Sequence, residues 1–384
     1  MKQKKLLPTD AGTERNSGIE AIKVMAILII IINHTFQTFE SGSQYTAGQD
    51  YVLKLTTATT SIQQIICTIL RYGGSLGNNI FFVCSAWFLL DSKRADKKKW
   101  ISMFSDIWFI SLFILGAASM SGSCRLSTKI VIKSLFPVTM ENNWYMTCYL
   151  LFYPIHPALN SIIDRMEQKQ LLRVTIVLLV LYAGISYVIH RKLFMSWLVL
   201  WITLYFTIAY MKKYLKESSE KRLFNVLLIV TGLLGNTGMV LITNFLGLRV
   251  ELLHDKLLYW NVNNSPFLIM TAVGMLNSGR KAGGKNYLIN RLSGLSMLIY
   301  LFHENLIIRT CYRPQWVDFV YQICGQNYLM GGVILALVIS TASAAVSFVY
   351  EKTVQKPVHD AAWKMYTYVA KAYQKLETVL LSFR

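Results

Sequence analysis

"IIIINHTFQTF", residues 29–39, closes the first long apolar run of the chain: four isoleucines lead into Asn33 and His34, and apolar character resumes at Phe36 and Phe39. Read outward, the run reaches back to Ile19, about the twenty residues a helix needs to cross the hydrocarbon core of a bilayer. The rest of the 384-residue chain repeats the theme, with 54% hydrophobic and 15% charged residues, the apolar ones gathered in blocks separated by short charged segments. Such a composition belongs to a polytopic membrane protein. Ten stretches qualify, near 19–39, 76–92, 103–120, 143–160, 174–189, 194–211, 223–247, 258–277, 292–310 and 329–350. The expected fold is all-α, with about ten transmembrane helices forming one membrane domain over 1–350 and a separate tail over 351–384.

Cytoplasmic loops retain an excess of Lys and Arg, so the basic residues orient the helices. With the amino terminus inside, the inner segments hold 27 of the 39 Lys and Arg and the outer segments hold 11; Lys23, within the first helix, is the remaining one. Both termini are then cytoplasmic. The net charge of +19 is mostly this topological signal, and its spread over six inner segments gives nucleic-acid binding little support. The first apolar run is too long for a cleavable signal peptide and no small-residue cleavage site follows it. Among the six cysteines, Cys84 and Cys148 read as helix packing residues, whereas Cys311 and Cys324 share an outer loop and could pair; no spacing suggests zinc. In the tail, Trp363, Tyr366, Ala370, Tyr373, Leu376 and Leu380 recur at helical spacing with Lys364, Lys371 and Lys375 on other faces, the pattern of an amphipathic helix on the anionic inner leaflet.

Two motif look-alikes fail on inspection. "GRKAGGKN", 279–286, carries Asn286 where a phosphate-binding loop requires Ser or Thr, and "HENLI", 303–307, carries Ile307 where a zinc-protease motif requires its second histidine. Ionisable residues at membrane depth are the better candidates, because burying them is costly. The first helix holds Glu20, Lys23 and His34. Eleven steps of about 100° bring Lys23 and His34 onto one face, about 16 Å apart at 1.5 Å per residue. They are either an aligned functional pair, or a lysine snorkelling to the inner surface and a histidine packed on a neighbour. In "LSMLIYLFHENL", Tyr300 and His303 are neighbours on one face, and the depth of His303 approaches that of His34. Asp106 enters the third helix at about the depth of Lys23, as a counter-ion or as part of a structural pair.

These residues carry a resemblance. The chain resembles the bacterial acyltransferase family 3 of integral membrane proteins, which acylate sugars of cell-envelope and exported polysaccharides. Its first helix, "EAIKVMAILIIIINH", is similar to the family's pattern of an acidic residue, a basic residue three later, and a histidine eleven beyond that. "FFVCSAWFLLDS", "WYMTCYLLFYPIHPALN" and "IYLFH" are similar to three further motifs, in the family's order. There are departures: Lys23 stands where Arg is usual, keeping the charge without the bidentate fork, and Ala86 replaces a Gly. The arginines usual after the second helix appear as Lys93, Arg94, Lys97, Lys98 and Lys99, and His156 is unusual in the fourth helix.

The resemblance implies a cytosolic acyl-CoA donor, with acetyl-CoA the default and succinyl open, no metal, and a hydroxyl acceptor on a glycan or lipid-linked sugar. It places the protein in the bacterial cytoplasmic membrane among lipids. Lys93, Arg94, Lys97, Lys98 and Lys99 would neutralise the nucleotide phosphates, with Lys23 nearer the pyrophosphate; positive-inside charge alone also accounts for that loop. His34 is the candidate general base, with a covalent acyl-histidine as the other route. His303 and Tyr300 would orient the acceptor or stabilise the oxyanion. Trp260, Asn261, Asn263 and Asn264 in "YWNVNNSP" offer the aromatic and amide groups that sugars bind, unless Trp260 simply anchors a helix end. A transporter or flippase for envelope polysaccharide is the rival reading, although paired broken segments are lacking; a structural subunit of a polysaccharide synthase is a third.

Overall fold

The computed structural model describes residues 15–41, 55–190 and 197–382, and among these no strand occurs. The elements are α1 (Ser17–Ser41), α2 (Ile62–Arg71), α3 (Gly73–Leu89), α4 (Lys97–Ser121), α5 (Thr128–Leu135) and α6 (Trp144–Arg165). There follow α7 (Gln168–Leu179), continued by a π-helical turn (Val180–Ile185) into α8 (Ser186–Ile189), then α9 (Trp197–Tyr214), α10 (Lys216–Glu220), α11 (Arg222–Gly247) and α12 (Glu251–His254). The last third comprises α13 (Pro266–Ala282), α14 (Tyr287–Gly294), α15 (Ser296–His303), a π turn (Ile308–Tyr312), α16 (Arg313–Cys324), α17 (Tyr328–Thr353) and α18 (Gln355–Ser382).

The protein is an all-α, multi-pass membrane protein. Among the described residues, five helical segments are long and apolar enough to cross a bilayer: Ser17–Glu40, Lys97–Ser121, Gln168–Ile189, Arg222–Gly247 and Tyr328–Thr353. Large apolar side chains such as Phe113, Val177, Leu234 and Val338 are exposed on these helices, as suits a surface facing lipid. The other apolar stretches also overlap helices, with two differences. The eighth begins at Pro266, not 258, because "NVNNS" makes turns and Pro266 takes a first-turn position. The ninth is not one helix but α14 and α15, which stop at His303. In the segments read as outer loops the chain folds into the short helices α2, α5, α12 and α16.

The first helix, α1, is the hub, packing against α3, α13, α14, α15, α16 and α17. Its closest partner is α3, where Gly77 permits near backbone contact: a Cβ there would lie 2.5 Å from Ile30 Cγ1 and 2.8 Å from the Ala26 carbonyl. Asn160, from the Pro-x-Leu-Asn-like end of α6, donates to the carbonyls of Leu89 and Ser92 at 2.9 Å each and so satisfies the unpaired end of α3. Tyr205 Oη donates to Asn160 Oδ1 at 2.6 Å and fixes the amide.

Two expected pairings are corrected. Asp106 is not the counter-ion of Lys23. Buried in α4, it accepts from Tyr350 Oη (2.8 Å), Gln355 Nε2 (3.0 Å) and His359 Nε2 (2.9 Å), and so anchors the start of the tail helix α18. Cys311 pairs with Cys124, from the loop after α4, and not with Cys324, which is free. In the tail, Trp363 and Tyr366 are half-buried, and the apolar side chains left exposed are Met365, Tyr368, Val369 and Tyr373. The side chains of Leu376 and Leu380 lie outside the described residues.

Candidate active site

The break after His303 builds the site. Glu304 and Asn305 leave the helix, and Asn305 Oδ1 accepts from the Ile307 N–H at 2.9 Å, turning the chain before it resumes in the π turn. Arg313, at the head of α16, reaches back into this gap: its Nη2 donates to the freed carbonyl of His303 and, at 2.8 Å, to Glu304 Oε2. Arg309 Nη1 meets the other carboxylate oxygen at 3.3 Å. A buried carboxylate is thus held between two guanidiniums, the pairing that makes such burial tolerable.

From the opposite side α1 delivers His34. Its Nδ1 lies 2.9 Å from Glu304 Oε2 and 3.1 Å from His303 Nε2, and the two imidazoles stack with centroids 5.4 Å apart. The tautomers follow from the partners. His303 Nδ1 faces the Ile299 carbonyl at 2.8 Å, and a carbonyl only accepts, so this nitrogen carries the proton and Nε2 of the neutral ring is an acceptor. His34 Nδ1 then faces two acceptors and must be the donor. Neutral His34 therefore keeps its free lone pair on Nε2, oriented by a carboxylate as a general base requires.

His34, His303 and Glu304 also place three potential metal donors within 4.8 Å of one another. Both carboxylate oxygens already meet an arginine, and two guanidiniums at this spot repel a dication. The donor set suits a hydrogen-bonded relay better than a metal.

One turn from this cluster begins a cavity of about 250 Å³. Ile30 lies one helical turn from His34 and Tyr300 one turn from His303, and both line its inner end together with Tyr145. Lys23, Arg15 and Lys99 line it as well, and Phe81, Ser85 and Tyr149 bring the second- and fourth-helix motifs into its wall. Lys23 Nζ is 3.0 Å from Glu20 Oε2, and Ser293 Oγ donates to the same carboxylate, so an ion pair fixes the lysine on the cavity wall. Ser296 adds a buried hydroxyl with no protein partner.

Other sequence candidates fall elsewhere. Of the basic loop only Lys99 lines the cavity; Lys93, Arg94, Lys97 and Lys98 are exposed around Asp96, which caps α4 by accepting from the Lys98 and Lys99 N–H groups at 2.8 and 3.2 Å. Trp260 packs against Tyr187, centroids 5.1 Å apart, beside Tyr259. Polar groups there join segments: the Asn261 side-chain amide donates to the Arg71 carbonyl (3.0 Å), that of Asn264 to the Tyr182 carbonyl (2.9 Å), and the Asn263 backbone carbonyl accepts from the Asn79 side chain (2.8 Å). None of these four lines the cavity at Lys23. His156 is buried against its own helix.

Glu304, Arg309, Arg313 and Arg15 join the sequence candidates only in the folded structure. The signal for Glu304 is present in "HENLI", where it is an acid at membrane depth. Arg309 and Arg313 carry no such signal, because hydropathy does not reveal that the ninth helix stops at His303.

The comparisons with known proteins agree with this architecture. A family model described as an acyltransferase domain matches residues 16–352, from the start of α1 to the end of α17. No curated protein and no solved structure matches the chain. With nearly its whole length covered by one family model, from the Glu20–Lys23–His34 helix through the His303 break, the chain belongs to the acyltransferase 3 family of membrane acyltransferases.

Proposed function

We propose that the protein moves an acetyl group from cytosolic acetyl-CoA to a hydroxyl of a cell-envelope or exocellular polysaccharide, or of its lipid-linked precursor, in the bacterial cytoplasmic membrane. The observation that carries this reading is the alignment of a basic cavity mouth (Arg15, Lys23, Lys99) with the His34–Glu304 pair, which lies one helical turn beyond the cavity-lining Ile30 and Tyr300. Arg15, Lys23 and Lys99 bind the phosphates of the donor, and the Ser296 hydroxyl is available to its pantetheine amides. The spacing of Lys23 and His34, about 16 Å along one helix, matches an extended pantetheine arm.

At the inner end His34 Nε2 removes the proton from the acceptor hydroxyl as that oxygen attacks the thioester carbonyl. The C–O ester bond forms, the C–S bond breaks, and the imidazolium returns its proton to the departing thiolate of CoA. Glu304 keeps Nδ1–H donating and offsets the imidazolium charge, while Arg313 and Arg309 hold Glu304 in place. Tyr300, whose ring lies 5.7 Å from that of His303, borders the space where the oxyanion develops. Trp260 and the neighbouring outer aromatic rings offer the acceptor a stacking surface on the exit side.

Membrane vesicles containing the full chain and its natural acceptors, incubated with radiolabelled acetyl-CoA, test the reading: label is expected in the glycan or lipid-linked glycan fraction. Absence of label with wild-type protein, or undiminished label with His34→Gln, would sink it. A transporter moves its cargo chemically unchanged and predicts no label at all.

A further inference from the structure

The end of the donor cavity is built unevenly. Its flanks carry flexible methionines, Met103, Met146 and Met297, which adapt to what they enclose. Its inner end is aromatic: Tyr145 of α6 and Tyr300 of α15 face each other with ring centroids 6.0 Å apart at 58°. Neither ring has room to retreat. Tyr145 lies 4.8 Å, edge to face, from Trp201, which is itself held 4.4 Å from Phe82. Behind them Phe152 and Tyr205 meet at 5.1 Å. On the other helix Tyr300 is backed edge-on by His303, one turn away. An aromatic stack of this depth is close-packed, so adding even a methylene to it forces side chains off their rotamers.

We propose, resting on the acyl-CoA reading above, that the facing rings of Tyr145 and Tyr300 set the length of acyl group the enzyme accepts, with Tyr145 as the specificity-determining residue. A thioester anchored by its phosphates at Lys23, Arg15 and Lys99 projects its acyl carbon toward Ile30 and Tyr300, with His34 one turn beyond. A methyl fits beside the rings. A longer chain must enter the Tyr145–Trp201 stack, which does not yield, and its carbonyl is then held short of His34. Because the phosphates and pantetheine bind at the other end, discrimination falls on turnover and not on the grip on CoA.

The test measures release of CoA thiol, in vesicles containing the full chain and its natural acceptors, from acetyl-, butyryl- and hexanoyl-CoA. Wild-type protein should favour acetyl over butyryl in kcat/KM by about tenfold or more, with free CoA inhibiting each reaction equally. Tyr145→Val opens the wall and should reduce that ratio by about tenfold, through faster butyryl transfer. Tyr145→Leu should do so in smaller measure, and serves if the valine variant does not fold; Tyr145→Phe, which keeps the ring, should keep the wild-type ratio. Equal use of the three thioesters by wild-type protein, or an unchanged ratio in the folded valine or leucine variant, overturns the proposal while leaving the donor reading intact. Absence of release from every thioester overturns the donor reading and this one with it.

Discussion

Glu304 Oε2 stands 2.9 Å from Nδ1 of His34 although the two residues lie 270 positions apart in the chain, His34 on α1 and Glu304 in the break after α15. The carboxylate is on the same side of the imidazole as His303, so one ring nitrogen is occupied and the other is left for chemistry. Glu304→Gln removes the charge that steadies an imidazolium while nearly preserving shape. Turnover should fall by about a hundredfold or more with little change in the Michaelis constant for acetyl-CoA, as when a triad carboxylate is replaced by its amide. Steady-state kinetics on a variant that elutes as the wild type does checks this; unchanged turnover would remove Glu304 from the relay.

His34→Gln keeps much of the bulk and cannot take a proton. It should lose about a hundredfold or more in turnover, and His34→Ala at least as much, both still binding CoA. Isothermal titration with CoA separates the two effects.

Charge at the cavity mouth should divide the basic loop in two. Lys99→Gln and Lys23→Ala are expected to raise the Michaelis constant for acetyl-CoA by about tenfold, roughly the worth of one charge-assisted contact. Lys93→Gln, Arg94→Gln and Lys98→Gln should change it less than about twofold, since these side chains point to solvent. Lys23→Arg restores the fork usual in the family and should stay active. Equal effects across the loop would mean that diffuse charge, not Lys99, attracts the donor.

The disulfide predicts a labelling pattern. Under denaturing, non-reducing conditions Cys67, Cys84, Cys148 and Cys324 should react with a maleimide while Cys124 and Cys311 do not. Cys311 lies in the π turn between Arg309 and Arg313, and Tyr312 Oη is 2.8 Å from Ser123 Oγ, so the bridge steadies the segment that holds Glu304. Cys124→Ser is expected to lower both the melting temperature and turnover; full activity after verified reduction would make the bridge irrelevant to the site.

Topology is the most direct check of the ten-helix scheme. Reporters fused at residues 47 and 384 should read outside and inside respectively, and a matching pair would refute it.

Much of the fold was legible because the bilayer imposes one strong rule, that a crossing segment must be apolar for about twenty residues. Lys23 and His34 were readable for a related reason, since polar groups in an apolar helix stand out and helical geometry fixes their shared face. The helix break at His303 was not readable. It depends on Asn305 turning the chain and Arg313 reaching back nine residues, and a hydropathy window averages both away. Asp106 shows the same limit: its depth could be estimated, but its partners come from α17 and α18, more than 240 residues later. Composition does not distinguish an amide facing solvent from one that ties its segment to a helix, as Asn261 does at the end of α2 and Asn264 at the π turn after α7.

The close seat of α1 on α3 at Gly77 has a consequence for how the protein tolerates change. Glu20, Lys23 and His34 all ride on one unbroken helix, so the span from Lys23 to His34 is a ruler cut into a single element and not a gap between two moving parts. One residue inserted between Ile27 and Ile30 would turn everything beyond it by about 100° and lift it by about 1.5 Å. Either His34 would leave Glu304, or Lys23 would leave the cavity, and no movement of a neighbouring helix could restore both. Side chains along this ruler can change one by one, whereas the number of its divisions is fixed by the pitch of the helix.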